Sequence, residues 1–114
     1  RRDDDPSLGE LVGDWGIPTP VALRKMKPYR HEVELIASGG VRNGIDMAKS
    51  VILGASLCGM AGPFLNPARE SADAVRAVIR RIKREFTTAM FLLGAGDLSD
   101  LKDREELILD EYWH

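Results

Sequence analysis

The chain has 114 residues, 16 of them basic and 18 acidic, for a net charge of −2; 44 % are hydrophobic and 30 % charged. That is a soluble globular composition with room for one small domain, burying roughly 60–70 % of its unfolded surface. The balance argues against electrostatic binding to nucleic acid, which needs a clustered basic excess. The single cysteine, Cys58, excludes an intramolecular disulfide or a cysteine-built zinc site. It is expected in an apolar core, and fits a reducing cytoplasm. No apolar run approaches a membrane span, and the charged stretch Arg1–Asp5 is not expected to be a signal peptide. With no Met at position 1, that start is expected to be the interior of a longer chain.

Residues 1–13 read as a solvated loop leading in, with Asp3–Asp5 a charge run and not a ligand set. Residues 14–20 are turn chemistry, in which Asp14 or Thr19 can cap a helix, Pro20 suits a first helical position, and Trp15 is expected as a packing anchor. A short helix over 20–27 presents Val21, Ala22, Leu23 and Met26. Pro28 is expected to stop it, leaving 28–31 as a loop. Residues 32–37 read as a strand whose Leu35-Ile36-Ala37 end lacks polar alternation, as in a strand buried on both faces. A helix over 43–54 places Ile45, Ala48, Val51 and Ile52 on one face, with Gly54 as its C-terminal cap. Residues 56–61 read as a second strand, broken by Gly62-Pro63. Residues 70–93 carry the longest helical pattern, ended by Gly94 and Gly96. A short capped helix over 97–104 and an extended segment over 105–110 follow, and 111–114 form a tail. Strand, helix, strand with short glycine-marked junctions is one βαβ unit, so the strands should be parallel neighbours. Two parallel strands leave edges and faces bare, and call for more sheet from the rest of a barrel or from a partner.

Two loops carry candidate chemistry. Ser38-Gly39-Gly40-Val41-Arg42-Asn43-Gly44 leaves a strand and opens a helix. Its glycines let backbone approach a ligand, the helix start favours an anion, and Arg42 can reach phosphate oxygens. The competing reading is a plain β–α turn with Arg42 solvated. Gly59-Met60-Ala61-Gly62-Pro63-Phe64 ends the next strand; its small residues permit close approach or merely tight packing. Both loops should emerge at one sheet edge, where strands 7 and 8 of a (β/α)₈ barrel commonly hold phosphate. His31 is expected to be exposed, His114 terminal, Asp46 and Lys49 a surface pair, and the basic cluster Arg80, Arg81, Lys83, Arg84 a solvated helix face. Neither a metal-ligand constellation nor a nucleophile–base pair stands out.

Asp14-Trp15-Gly16-Ile17-Pro18-Thr19, Ala37–Gly44, Ala48-Lys49, Leu53-Gly54-Ala55, Gly59–Leu65 and Ala89–Ala95 occur in this order. The set resembles the C-terminal part of the type 2, FMN-dependent isopentenyl-diphosphate isomerases, over about residues 14–109. The Gly-Gly-x-Arg and Ala-Gly elements are shared with many FMN barrels, including the lactate and glycolate oxidases. The Asp14–Thr19 turn and the Ala89–Ala95 helix end single out the isomerases. The resemblance implies an α/β fold, with residues 14–110 forming strands 7 and 8 and flanking helices of a TIM (β/α)₈ barrel. It implies interconversion of isopentenyl and dimethylallyl diphosphates by a 1,3-proton shift with reduced FMN, NADPH as flavin reductant, Mg²⁺ with the substrate, and a homo-oligomer (tetramer or octamer). Gly40, Val41, Arg42, Ala61 and Gly62 match the family's FMN-phosphate positions, and with Gly39 they form the expected cofactor-binding set. The family's catalytic, substrate and metal residues lie upstream, so this segment alone is expected to be inactive. The alternatives are a segment of an FMN oxidoreductase of the hydroxy-acid oxidase type, or a non-enzymatic α/β module that associates through its strand edges.

Overall fold

A computed structural model describes residues 6–102 and 104–109. The Asp3–Asp5 run, the end of the 105–110 segment and the 111–114 tail, with His114, lie outside the described residues.

Two parallel three-residue strands, β1 (Ile36–Ser38) and β2 (Leu57–Gly59), stand at the centre, paired Ile36 with Leu57, Ala37 with Cys58 and Ser38 with Gly59. The expected βαβ unit is present: helix α3 (Gly44–Ile52) joins them. The strands are shorter than expected. Residues 32–35 form a bend and an irregular lead-in, although Ser56 N–H still donates to the Leu35 carbonyl at 2.8 Å.

Side chains alternate across a strand, so one face carries Ala37 and Cys58 and the other Ile36, Ser38, Leu57 and Gly59. The first face is covered. Ala37 packs with Leu23, Val41, Leu53 and Ala55, and half-buried Cys58, Met60 and Ile108 border the cluster. Burial pushes the Cys58 thiol up from its ordinary pKa, with the Ser50 hydroxyl working the other way. The second face is bare, with Ile36 61 % and Leu57 63 % exposed. The strand thus does not bury both faces within this segment.

Helix α1 (Pro6–Leu11) occupies part of the expected lead-in loop. Its six residues, with Gly9 among them, are too few to show a helical period in the sequence, and all are exposed. Helix α2 (Thr19–Met26) starts one residue earlier than expected, with Pro18 at the N-cap. Thr19 therefore does not cap it. Pro28 does not open a loop either: a 3₁₀ turn, Lys27–Tyr29, continues from the helix with the proline in its first positions, where no amide donor is required. Trp15 is 82 % exposed and anchors nothing among the described residues.

In α3 the Asn43 side chain caps the start by accepting the Asp46 amide at 2.8 Å, and Gly54 follows the end at φ +110°. Ala48, Val51 and Ile52 are buried as expected; Ile45 is exposed. Gly62-Pro63 does not simply break the chain. It opens helix α4 (Gly62–Glu70), with Pro63 in the first turn. Ser71, in extended conformation, ends α4 and caps α5 (Ala72–Leu92) by accepting the Ala74 amide at 3.0 Å. Helix α5 packs along α3, burying Val78, Ile82 and Ala89, and keeps Arg80, Arg81, Lys83 and Arg84 in solvent. A second cluster, Val51, Ile52 and Leu101, is bordered by Phe86, Met90 and Leu93.

The 97–104 segment is a 3₁₀ turn, Leu98–Asp100, closed by a reciprocal capping box between Asp97 and Asp100. The Ser99 hydroxyl and the Asp100 amide hold the Asp97 carboxyl below the usual carboxylate range. The expected extended segment begins as another 3₁₀ turn, Glu105–Leu107, and Ile108 after it has extended dihedrals. Glu105 pairs with Arg24 (3.5 Å) and Lys27 (3.3 Å), tying this turn to α2.

Candidate phosphate cradle

The parallel register brings the two candidate loops out at the same sheet edge, because Ser38 and Gly59 are paired as the last residue of each strand. Beyond Ser38 the chain turns through Gly39 at φ +96° and Gly40 at φ +76°. L-residues rarely adopt these angles, so the turn needs its glycines. Val41 is buried and anchors the loop in the strand–helix core. Arg42 is exposed, and its guanidinium has no protein partner among the described residues. A Cβ built on Gly40 or on Gly62 would meet nothing within 4 Å, so both loops face open space.

The two helix starts at this edge differ. At α3 two of the first-turn donors, and the Arg42 N–H before them, are already used inside the protein. Asp46 N–H goes to Asn43, Arg42 N–H to the Asp46 carboxylate at 3.1 Å, and Gly44 N–H to the Glu85 carboxylate at 3.0 Å. Asp46 is thus turned to the backbone of the loop, where sequence spacing had paired it with Lys49. Three acceptors, two of them carboxylates, leave α3 little attraction for a further anion. At α4 no side chain caps the start, since Ala61 stands at the N-cap. Pro63 has no N–H and Phe64 N–H donates to the Ala61 carbonyl at 3.0 Å, so the Gly62 N–H and the positive end of the dipole are what this start offers. Sequence reasoning placed Ala61 and Gly62 at the site but missed the helix they start. The signal was Pro63, which suits a first turn as well as it suits a break.

A cavity of about 580 Å³ opens beside the first loop. Leu23, Val41, Leu53 and Ile108 form much of its apolar lining, and Arg42 and Lys49 are cations at its wall. It touches Gly39–Arg42 but not Ala61 or Gly62, so the two halves of the cradle are joined by strand register and not by a shared cavity. His31 is exposed, as expected. Among the described residues no three His, Cys, Asp or Glu side chains gather as a metal ion would require, and no helix is long and apolar enough to cross a membrane.

Residues 14–108 match the FMN-dependent dehydrogenase family across both loops and all the helices around them. The chain belongs to that family. Within the FMN-dependent dehydrogenases it is similar to isopentenyl-diphosphate delta-isomerases. It is 54 % identical over 112 residues to the one from Paracoccus zeaxanthinifaciens, covering 95 % of this chain and 32 % of that protein. It is 48 % identical over 102 residues to the one from Hydrogenovibrio crunogenus, covering 90 % and 30 %. It is 47 % identical over 94 residues to the one from Methanosarcina mazei, covering 82 % and 25 %. The chain spans about a third or less of the length of these relatives. The resemblance found in the Asp14–Thr19 and Ala89–Ala95 strings therefore holds along nearly all of the chain.

Proposed function

We propose that this segment holds the phosphate of FMN in an isomerase that interconverts isopentenyl and dimethylallyl diphosphates. The observation that carries the reading is the glycine-built turn at Gly39-Gly40 beside the uncapped start of α4 on one parallel sheet edge. The residues fit the group: a phosphate needs several N–H donors, room for close approach and a positive field, and the edge supplies all three. Gly40 and Val41 offer backbone donors, Ala61 and Gly62 open the α4 terminus, and Arg42 adds a guanidinium that can reach phosphate oxygens. When bound in reduced form, FMN supplies the proton transfers of a 1,3-shift without net redox change. The role of this chain is to hold the phosphate, and so to fix where the rest of the flavin lies.

In this reading β1 and β2 are strands 7 and 8 of a (β/α)₈ barrel. The bare face carrying Ile36 and Leu57 supports it, because that face needs the remaining strands to cover it. Groups for the substrate diphosphate, for Mg²⁺ and for NADPH are assigned to the remainder of the protein. The test is Arg42→Ala in the full-length protein. FMN affinity should fall by about 1.5–3 kcal/mol, the range for a charged hydrogen bond. Unchanged affinity removes Arg42 from the site. The family match also favours a second reading, an FMN oxidoreductase of the hydroxy-acid oxidase type. Turnover of 2-hydroxy acids without diphosphate isomerisation would establish it, and absence of any flavin dependence would leave a binding module.

A further inference from the structure

A residue far from the loop in sequence grips the turn between Gly39 and Gly40. The Thr19 hydroxyl donates to the Gly39 carbonyl at 2.7 Å and lies 3.2 Å from the Ser38 carbonyl. A Cβ on Gly39 would stand 3.1 Å from this same oxygen. Thr19 is the first residue of α2, where hydroxyl side chains usually serve the helix itself. Here Pro18 holds the N-cap and no side chain caps the helix, so the hydroxyl is used entirely on the loop.

The direction of that bond has a consequence for the neighbouring donor. In a trans peptide the C=O and N–H vectors point in opposite directions. The Gly39 carbonyl is drawn back toward α2, so the Gly40 N–H of the same peptide is turned away from α2. It has no protein acceptor among the described residues, and the space beside Gly40 is open. Two successive glycines make this peptide easy to rotate, since neither carries a Cβ to oppose it. A free Gly-Gly peptide would present its carbonyl oxygen to the ligand about as readily as its N–H, and a carbonyl oxygen repels phosphate.

We propose that Thr19 is a positioning residue: its hydroxyl locks the Gly39–Gly40 peptide in the orientation that presents the Gly40 N–H to the flavin phosphate. The proposal rests on the phosphate-cradle reading above. The test uses the full-length protein and two flavins, FMN and riboflavin, which differ by the phosphate. Thr19→Val keeps the shape and removes the donor. It should raise the Kd for FMN about five- to tenfold, the worth of one neutral hydrogen bond, and leave that for riboflavin unchanged. Thr19→Ser should restore FMN affinity to within about twofold. Unchanged FMN affinity in Thr19→Val, equal losses for both flavins, or a serine variant no better than valine would each overturn the proposal. If Thr19→Val does not fold, Thr19→Ala must give the same FMN-selective loss. A wild-type protein that binds riboflavin as tightly as FMN, or neither, would overturn the cradle reading itself and the proposal with it.

Discussion

At Gly44 the backbone of α3 lies close against α5, and an added methyl group measures what that closeness is worth. A Cβ at Gly44 would overlap the backbone nitrogen of Phe86 and the Cβ of Glu85, and stand 2.6 Å from the Ile82 carbonyl oxygen. Main-chain atoms in the middle of a 21-residue helix cannot swing aside as a side-chain tip can. Relief requires the helices to part by about 1 Å, and overpacking of this kind costs about 1–3 kcal/mol. Parting also stretches the 3.0 Å bond from Gly44 N–H to the Glu85 carboxylate, and a hydrogen bond to a charged group contributes about 1.5–3 kcal/mol. Alanine recovers at most about 1 kcal/mol in helix propensity. Gly44→Ala should therefore destabilise the full-length protein by about 2–4 kcal/mol, read by denaturant titration with the slope unchanged. Gly62→Ala, at a helix start with open space around it, is the control and should stay within about 0.5 kcal/mol. Equal stabilities for Gly44→Ala and wild type would refute the close packing of α3 on α5.

Removing the Asn43 cap with Asn43→Ala should cost about 1 kcal/mol, and Ser71→Ala about the same, measured by the same titration. The raised pKa of Cys58 predicts that iodoacetamide modifies its peptide far more slowly in native than in unfolded protein at pH 8, as mass mapping would show; equal rates would contradict its burial. The lowered pKa of Asp97 means that its ionised form is favoured by folding. Its contribution is present above the ordinary carboxylate range and lost as pH falls through it. Wild type should thus melt higher than Asp97→Ala at pH 7, and the gap should narrow as the pH falls below 4.

The βαβ unit was legible because its signals are local: an apolar Leu-Ile-Ala run, a glycine turn and a helical stripe ending at Gly54. The same holds for the loop at Gly39–Arg42, whose two glycines are required by its backbone angles. Helix α4 was not legible. Pro63 and Pro67 both lie within it, none of its residues is buried, and prolines read more readily as punctuation than as a first turn. Trp15 and the outer strand face misled for a different reason. Apolar side chains predict burial, yet nothing among the described residues covers these, and no local pattern reports that. The Thr19 clamp and the Glu85 bond span 19–20 and 41 residues, and spacing along the chain gives no sign of either.

Ser71 closes a mechanical circuit. A single extended residue separates α4 from α5, and α5 in turn grips the start of α3 through Glu85 and the close approach at Gly44. One half of the proposed cradle begins α4 and the other precedes α3, so α4, Ser71 and α5 act as the arm of a caliper whose jaws are the two loops. The gauge of the caliper is set in helical residues. One residue inserted into α4 would turn the Gly62 N–H at its start by about 100° relative to α5, at 3.6 residues per turn. The length of a helix that buries none of its residues fully thus sets the relative orientation of the two loops.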